Sequence, residues 1–226
     1  MKQYLPLLQK NPLFSTLSQS VLETHILPHA YPAEYPKGAH LIRTQETCVG
    51  LGLLLQGKVT IQHIYPDGTC RLSGVLEPGD LFGADLICTR TRVSPYYAEA
   101  AQATQLLMLP AELFRGNLLP PQVQLQLNNR LLMHISDENM RKEYRLAILL
   151  QKGLRERILT YLTMQAEKRR TATFSIPFTR DELASFLCVN RSCLSHELSR
   201  MARDGILTFE RNTFTLLQWD AKNGDD

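Results

Sequence analysis

Arg191, Ser192, Ser195, His196 and Ser199 follow one another at steps of one, three, one and three residues. At 3.6 residues per turn, that spacing gathers them on one face of an α-helix. All five carry groups that hydrogen-bond to base edges or phosphate oxygens. Leu194 and Leu198 fall on the other face, as a helix half-packed on a core requires. Residue types that carry catalysis or hold metals do not cluster in this way. Between positions 30 and 109 the histidines are His40 and His63, well separated. A cupin-type jelly-roll enzyme with a helical C-terminal extension, the main alternative, needs a close set such as two histidines and a carboxylate on one metal. The five cysteines, Cys48, Cys70, Cys88, Cys188 and Cys193, are odd in number and contain no C-x-x-C pair, which fits reduced thiols better than a disulfide framework. The chemistry implied is recognition of nucleic acid, without catalysis.

Presenting those five side chains takes a particular pair of helices. Thr179 and Glu182 form an S/T-x-x-E capping box that starts a short helix, with Leu183, Ala184 and Leu187 as its apolar face. Cys188-Val189-Asn190 reads as a turn, and Asn190 caps a second helix opening at Arg191. Gly205 stands at the C′ position beyond that helix. A three-residue turn, with small Ala184 at the crossing, makes a helix-turn-helix. Residues 206–209 and 214–217 around Glu210-Arg211-Asn212-Thr213 then read as a β-hairpin wing.

The charge distribution agrees. The formal net charge is +3. Positions 151–211 hold 11 basic and 7 acidic residues, a net of +4, and the remainder 14 and 15, a net of −1. The positive excess therefore lies with the helix pair, as an electrostatic footprint on phosphates requires. The N-terminal residues lack a signal-type apolar region, and no run approaches the ~18 apolar residues of a membrane span. A cytoplasmic location is expected.

Upstream, helical patterns cover residues 5–8 and 18–26, with Ser18 as N-cap. Short strands punctuated by turns follow at 41–42, 51–55, 58–65, 69–76 and 106–109, the third closing on a Pro66-Asp67-Gly68 hairpin turn. Such spacing argues for an antiparallel sandwich or jelly roll. Pro120-Pro121 ends it. Residues 122–152 contain neither Pro nor Gly and read as one long helix. Its Leu127, Leu131, Ile135, Leu146 and Leu149 are the expected seam of a two-fold homodimer. Lys152-Gly153 is a hinge before a helix at 154–166, a charged loop and a strand at 174–177. Residues 220–226 read as a disordered tail. The expected fold is α+β: an N-terminal antiparallel β jelly roll acting as sensor (1–120), a dimerisation helix (121–152) and a C-terminal winged helix-turn-helix (153–226).

This arrangement resembles the Crp/Fnr family of bacterial transcription regulators over essentially the whole chain. In the β region the matching residues are Tyr35-Pro-Lys37-Gly38, Leu54-Leu-Gln-Gly57-Lys-Val59, Asp67-Gly68 and Leu76-Glu-Pro-Gly79-Asp80-Leu-Phe82-Gly83. In the reader they are Thr179-Arg-Asp-Glu-Leu-Ala and the eleven residues from Asn190 to Arg200. The resemblance implies a cyclic-nucleotide-binding-type sensor and a reader contacting a near-palindromic double-stranded DNA site through Thr179, Arg180, Asn190, Arg191, Ser192, Ser195, His196 and Arg200. It also implies RNA polymerase as a partner.

The departures bear on the effector. Nucleotide-binding members follow Phe-Gly with a glutamate for a ribose hydroxyl, and place Arg-Ser-Ala about ten residues later on the cyclic phosphate. Here Ala84 follows Phe82-Gly83, and Ser94-Pro95-Tyr96 stands at the phosphate motif. A buried phosphate without its arginine is costly, so cyclic AMP is not expected; Asp85 and Arg92 are the nearest substitutes. An iron–sulfur cluster of the Fnr kind needs N-terminal cysteines, and residues 1–47 contain none. Haem ligation by His63, Cys48, Cys70 or Cys88, and a cysteine redox switch, have no supporting pattern. Phe82, Gly83, Asp85, Tyr96, Tyr97 and Arg141 are the candidate lining of a pocket for some other small molecule. The effector, the base preference and the sign of regulation stay open. In the reader, Cys188 stands where the family has a glycine of left-handed backbone, and His196 where it commonly has arginine.

Overall fold

The computed structural model describes residues 1–65, 68, 70–116 and 118–219, without the side chains of Cys70 and Arg71. Pro66 and Asp67 of the expected hairpin turn, and the expected tail at 220–226, lie outside the described residues. Two compact units emerge, Met1–Glu138 and Asn139–Asp226.

In the first unit the short apolar runs pair into two four-stranded antiparallel sheets. One has the order β1 (Tyr31–Tyr35), β8 (Thr104–Pro110), β3 (Gly50–Gln56), β6 (Leu81–Phe82); the other runs β2 (His40–Ile42), β7 (Tyr97–Ala100), β4 (Val59–Ile64), β5 (Cys70–Leu76). Every expected strand is present. β1, β6 and β7 are additions: Pro32 disguises β1 as a loop, yet an edge strand tolerates a proline, and β1 is at the sheet's edge. Leu51 pairs with Leu109 and Leu53 with Leu107 across β3 and β8, and all four are buried in the core. Short helices α1 (Leu5–Lys10), α2 (Gln19–Val21), α3 (Ala84–Ile87) and α4 (Glu112–Arg115) complete the unit. Ser18 caps α2 as expected, its hydroxyl accepting from the Val21 amide at 3.3 Å, and the chain continues through a π-turn at Leu22–Ile26.

Helix α5 (Pro121–Leu149) begins one residue before the expected start and stops three short of the expected end. Its apolar face is turned toward the strands of its own chain. Leu127 and Leu131 are 0% and 4% exposed, packed with Val123 into the first unit's core, and Ile135 rests against it. Leu127, Leu131 and Ile135, expected at the seam, thus pack against the core of their own chain. Leu149 is half-buried and Leu146 exposed.

The second unit takes the last turns of α5 and adds α6 (Leu154–Arg169), β9 (Thr173–Ser175), α7 (Arg180–Phe186), α8 (Arg191–Arg203), β10 (Leu207–Glu210) and β11 (Thr213–Leu216). The strands form an antiparallel sheet ordered β10-β11-β9. Phe174, Phe214 and Leu216 point into a core shared with Ile148, Ile158 and Leu162. On the outer face, the Thr173 and Thr215 hydroxyls meet at 3.0 Å and those of Ser175 and Thr213 at 2.8 Å. Among the described residues, no helix is long and apolar enough to cross a membrane.

Candidate nucleic-acid interface

The helix pair forms at its expected positions, and local caps explain why. The Thr179 hydroxyl accepts from the Glu182 amide at 3.3 Å while the Glu182 carboxylate accepts from the Thr179 amide at 2.8 Å, which satisfies two orphan donors of α7. Asn190 Oδ1 accepts from the Cys193 amide at 2.9 Å and from the Ser192 hydroxyl at 2.8 Å. Between the helices, Cys188 has φ +57°, the left-handed geometry that a glycine would adopt without strain. Gly205, at φ +68°, ends α8: its amide reaches the Ala202 carbonyl and the Ile206 amide the Met201 carbonyl, a Schellman closure. Leu194 and Leu198 are fully buried, so α8 is seated on one face and open on the other.

That open face carries Arg191, Ser192, His196 and Ser199 exposed and Ser195 half-buried. The Ser199 hydroxyl donates to the Ser195 carbonyl at 2.9 Å. Arg191 is 3.1 Å from the Asp181 carboxylate, both well exposed. Thr179 and Asn190 lie beside the face, their side-chain oxygens committed to the caps. Arg180 stands apart from the expectation. Its guanidinium sits 4.8 Å from the Phe209 ring centre and 5.2 Å from that of Phe214, and donates to the Arg211 carbonyl at 2.8 Å. Burial first, and then the charge of Arg191, hold its pKa below the ordinary value. Arg200 is 3.3 Å from Glu197.

Several supports of the reader escaped the sequence. Arg155 reaches Glu197 at 2.6 Å and Asp204 at 2.7 Å, joining α6 to both ends of α8's second half; those hydrogen bonds raise the arginine's pKa. Arg145, from the end of α5, lies 5.2 Å over the Phe186 ring and donates to the Phe186 carbonyl at 3.2 Å. Arg157 donates to the Gln151 carbonyl at 3.1 Å and the Leu187 carbonyl at 3.4 Å. Tyr161, Phe178 and Phe186 stack within 5.1–5.9 Å of one another. The partners in these contacts are up to 49 residues apart in sequence, beyond the reach of any helical or strand period.

In the sensor unit, the five candidate pocket residues do not all face one way. Phe82 is 4% exposed, inside the core. Gly83, at φ +79°, leaves no room for a Cβ, which would stand 2.9 Å from the Gly50 carbonyl and 3.0 Å from Cys48 Sγ. Tyr96 is 6% exposed, its ring edge-on to His63 at 6.1 Å and its hydroxyl donating to Asp85 at 3.0 Å. Tyr97 turns the other way: its hydroxyl donates to Gln62 at 2.8 Å and its ring meets His40. His63 and Gln62 are consecutive on β4, so they face opposite sides of the sheet. Arg141 belongs to the second unit. At the phosphate motif, Ser94 is fully buried and its hydroxyl donates to the Tyr96 carbonyl at 2.6 Å. Arg92 pairs with Glu112 at 3.3 Å. Burial, then the Asp85 charge, push the Tyr96 hydroxyl far above its ordinary pKa, and burial likewise raises the Cys48 thiol. Among the described residues, no three His, Cys, Asp or Glu side chains converge as metal ligands do.

A two-sheet sensor and a capped helix pair with a wing define a DNA-binding regulator, and comparison with known proteins agrees. The cyclic nucleotide-binding domain model matches residues 32–118, and the Crp-like helix-turn-helix domain model residues 156–221. Transcriptional activator protein FnrA of Stutzerimonas stutzeri is 26% identical over 188 residues, 80% of this chain and 74% of its own. FnrL of Cereibacter sphaeroides is 25% identical, covering 80% and 73%. The Thermus thermophilus catabolite activator protein shares the fold at TM-score 0.55 and 22% identity over 91% of this chain and 93% of that one. OCPA-complexed CprK does so at 0.64 and 16%, over 87% and 91%. The chain belongs to the Crp/Fnr family of transcription regulators. It is a DNA-binding regulator rather than an enzyme.

Proposed function

We propose that this protein is a homodimer in the cytoplasm that reads a near-palindromic promoter site and acts on transcription with RNA polymerase, under an effector other than a cyclic nucleotide. The observation that carries the reading is the open face of α8, with Arg191, Ser192, Ser195, His196 and Ser199 on a helix fixed by Asn190 at one end and Gly205 at the other. Two such helices across a two-fold axis would enter successive major grooves ~34 Å apart. The seam suggested by exposure is the other side of α5: Leu125, Leu132 and Met133 are 62%, 64% and 57% exposed, opposite Leu127 and Leu131 by helical period. Leu125 and Leu132 are one heptad apart. Apolar residues so exposed on one stripe mark a partner surface, and a second copy presents the same stripe.

Against a cyclic nucleotide stands the motif Ser94–Tyr96: the side chain at the phosphate position is a buried hydroxyl already bonded to backbone, and the nearby acid, Asp85, would repel a phosphate. Selection of randomised duplexes by the purified protein, with sedimentation, tests the reading. A two-fold-symmetric consensus bound by a dimer is expected; a monomer at all working concentrations with tight specific binding would sink the dimer. Calorimetry with cyclic AMP should show no binding, and a micromolar dissociation constant would overturn that part.

A further inference from the structure

Arg180 heads α7, where its sequence position invites a phosphate contact, but its surroundings give it another task. Its guanidinium lies over two aromatic rings, Phe209 and Phe214, whose centres are 6.0 Å apart. Its Nη2 donates to the carbonyl of Arg211 at 2.8 Å. Arg211 and Asn212 are the two residues between β10 and β11, and Arg211 has φ +52°, a geometry that non-glycine residues hold only when their surroundings impose it. From the other side, the Asn212 side chain donates to the Ile176 carbonyl at 3.1 Å, and the Asn212 carbonyl accepts from the Ile176 amide at 2.9 Å. The turn is thus pinned to α7 by Arg180 and to the chain before α7 by Asn212. With Asn212 folded back, the exposed Arg211 side chain is the cation at the tip of the wing.

We infer that Arg180 is a positioning residue, and that the group it positions is Arg211, a further DNA contact set on the phosphate backbone beside the groove that α8 enters. The inference rests on the reader binding duplex DNA through α8. Lysine cannot replace Arg180: its ammonium keeps the charge but lacks the flat face that stacks on two rings while donating sideways.

The test uses the full-length protein and a duplex carrying its selected site, with affinity measured across salt concentration for wild type, Arg180→Lys, Arg211→Gln and the double variant. Arg211→Gln should weaken binding roughly three- to tenfold and lower the salt slope by about one, with the base preferences of α8 unchanged. Arg180→Lys should do the same although its charge is kept. The double variant should be no weaker than either single one, because both remove the same contact. Hydroxyl-radical footprints should lose the same flanking protection in all three. Arg180→Lys binding like wild type would make Arg180 a direct charge contact and overturn the inference, as would losses that simply add. If Arg180→Lys fails to fold, the surface change Arg211→Gln decides: wild-type affinity and slope there overturn it. Wild type that binds no duplex at all would instead overturn the DNA-reading assignment of α8.

Discussion

Arg191 meets Asp181 before it can meet DNA. An exposed pair at 3.1 Å is worth about 0.2–1 kcal/mol, and a phosphate must displace the carboxylate to claim the arginine. Asp181→Asn should therefore tighten DNA binding, roughly 1.4- to fivefold by that range, and steepen its salt dependence in a filter or anisotropy titration; weaker binding would show Asp181 to hold Arg191 in place instead. His196 is an outward side chain five residues further on. Its imidazole cannot make the two-pronged guanine contact of an arginine. His196→Ala should cost about 1–3 kcal/mol at one symmetric pair of base positions, and His196→Arg should move preference there toward guanine. Identical motifs selected by all three proteins would remove His196 from the reading face. These residues were legible because helical spacing sorts α8 into two faces. Arg180 was not, because the rings that seat it lie about thirty positions downstream and its place at a helix start is equally suited to a phosphate.

At the scale of elements, the sequence shows starts and stops better than partners. The capping box, the Asn190 cap, Gly205 and the left-handed turn at Cys188 are local signals, and each appears where it was expected. Cys188→Gly should relieve about 1–2 kcal/mol of left-handed strain against about 0.5–1 kcal/mol of glycine entropy. The expected net effect is a rise of a few degrees in the melting temperature of the reader, with DNA affinity unchanged; a fall would mean that the thiol packs where exposure says it does not. The long helix teaches the opposite lesson. Its leucines at steps of four reveal an apolar face, but periodicity cannot say whether that face meets a neighbouring strand or a second chain. β1 and β7 were missed for a related reason: Pro32 hides the first, and the second is only four residues long, partnered by strands far away in sequence.

For the molecule as a whole, the two faces of α5 make separable predictions. Leu127→Ala opens a cavity in the first unit's core and should cost about 2–5 kcal/mol of stability, seen as a lower melting temperature with the dimer intact. Leu132→Glu places a charge on the open stripe, and should yield a folded monomer in sedimentation with weakened DNA binding. Dimers that survive Leu132→Glu would move the seam elsewhere. A second whole-molecule consequence follows from the arginines at the back of the reader. The closing carbonyls of α7 accept from guanidinium groups, Phe186 from Arg145 on α5 at 3.2 Å and Leu187 from Arg157 on α6 at 3.4 Å. Arg155 ties α6 to α8 in the same way. A strain on the closing turns of α5 would reach α7 through Arg145 as well as through the loop before α6.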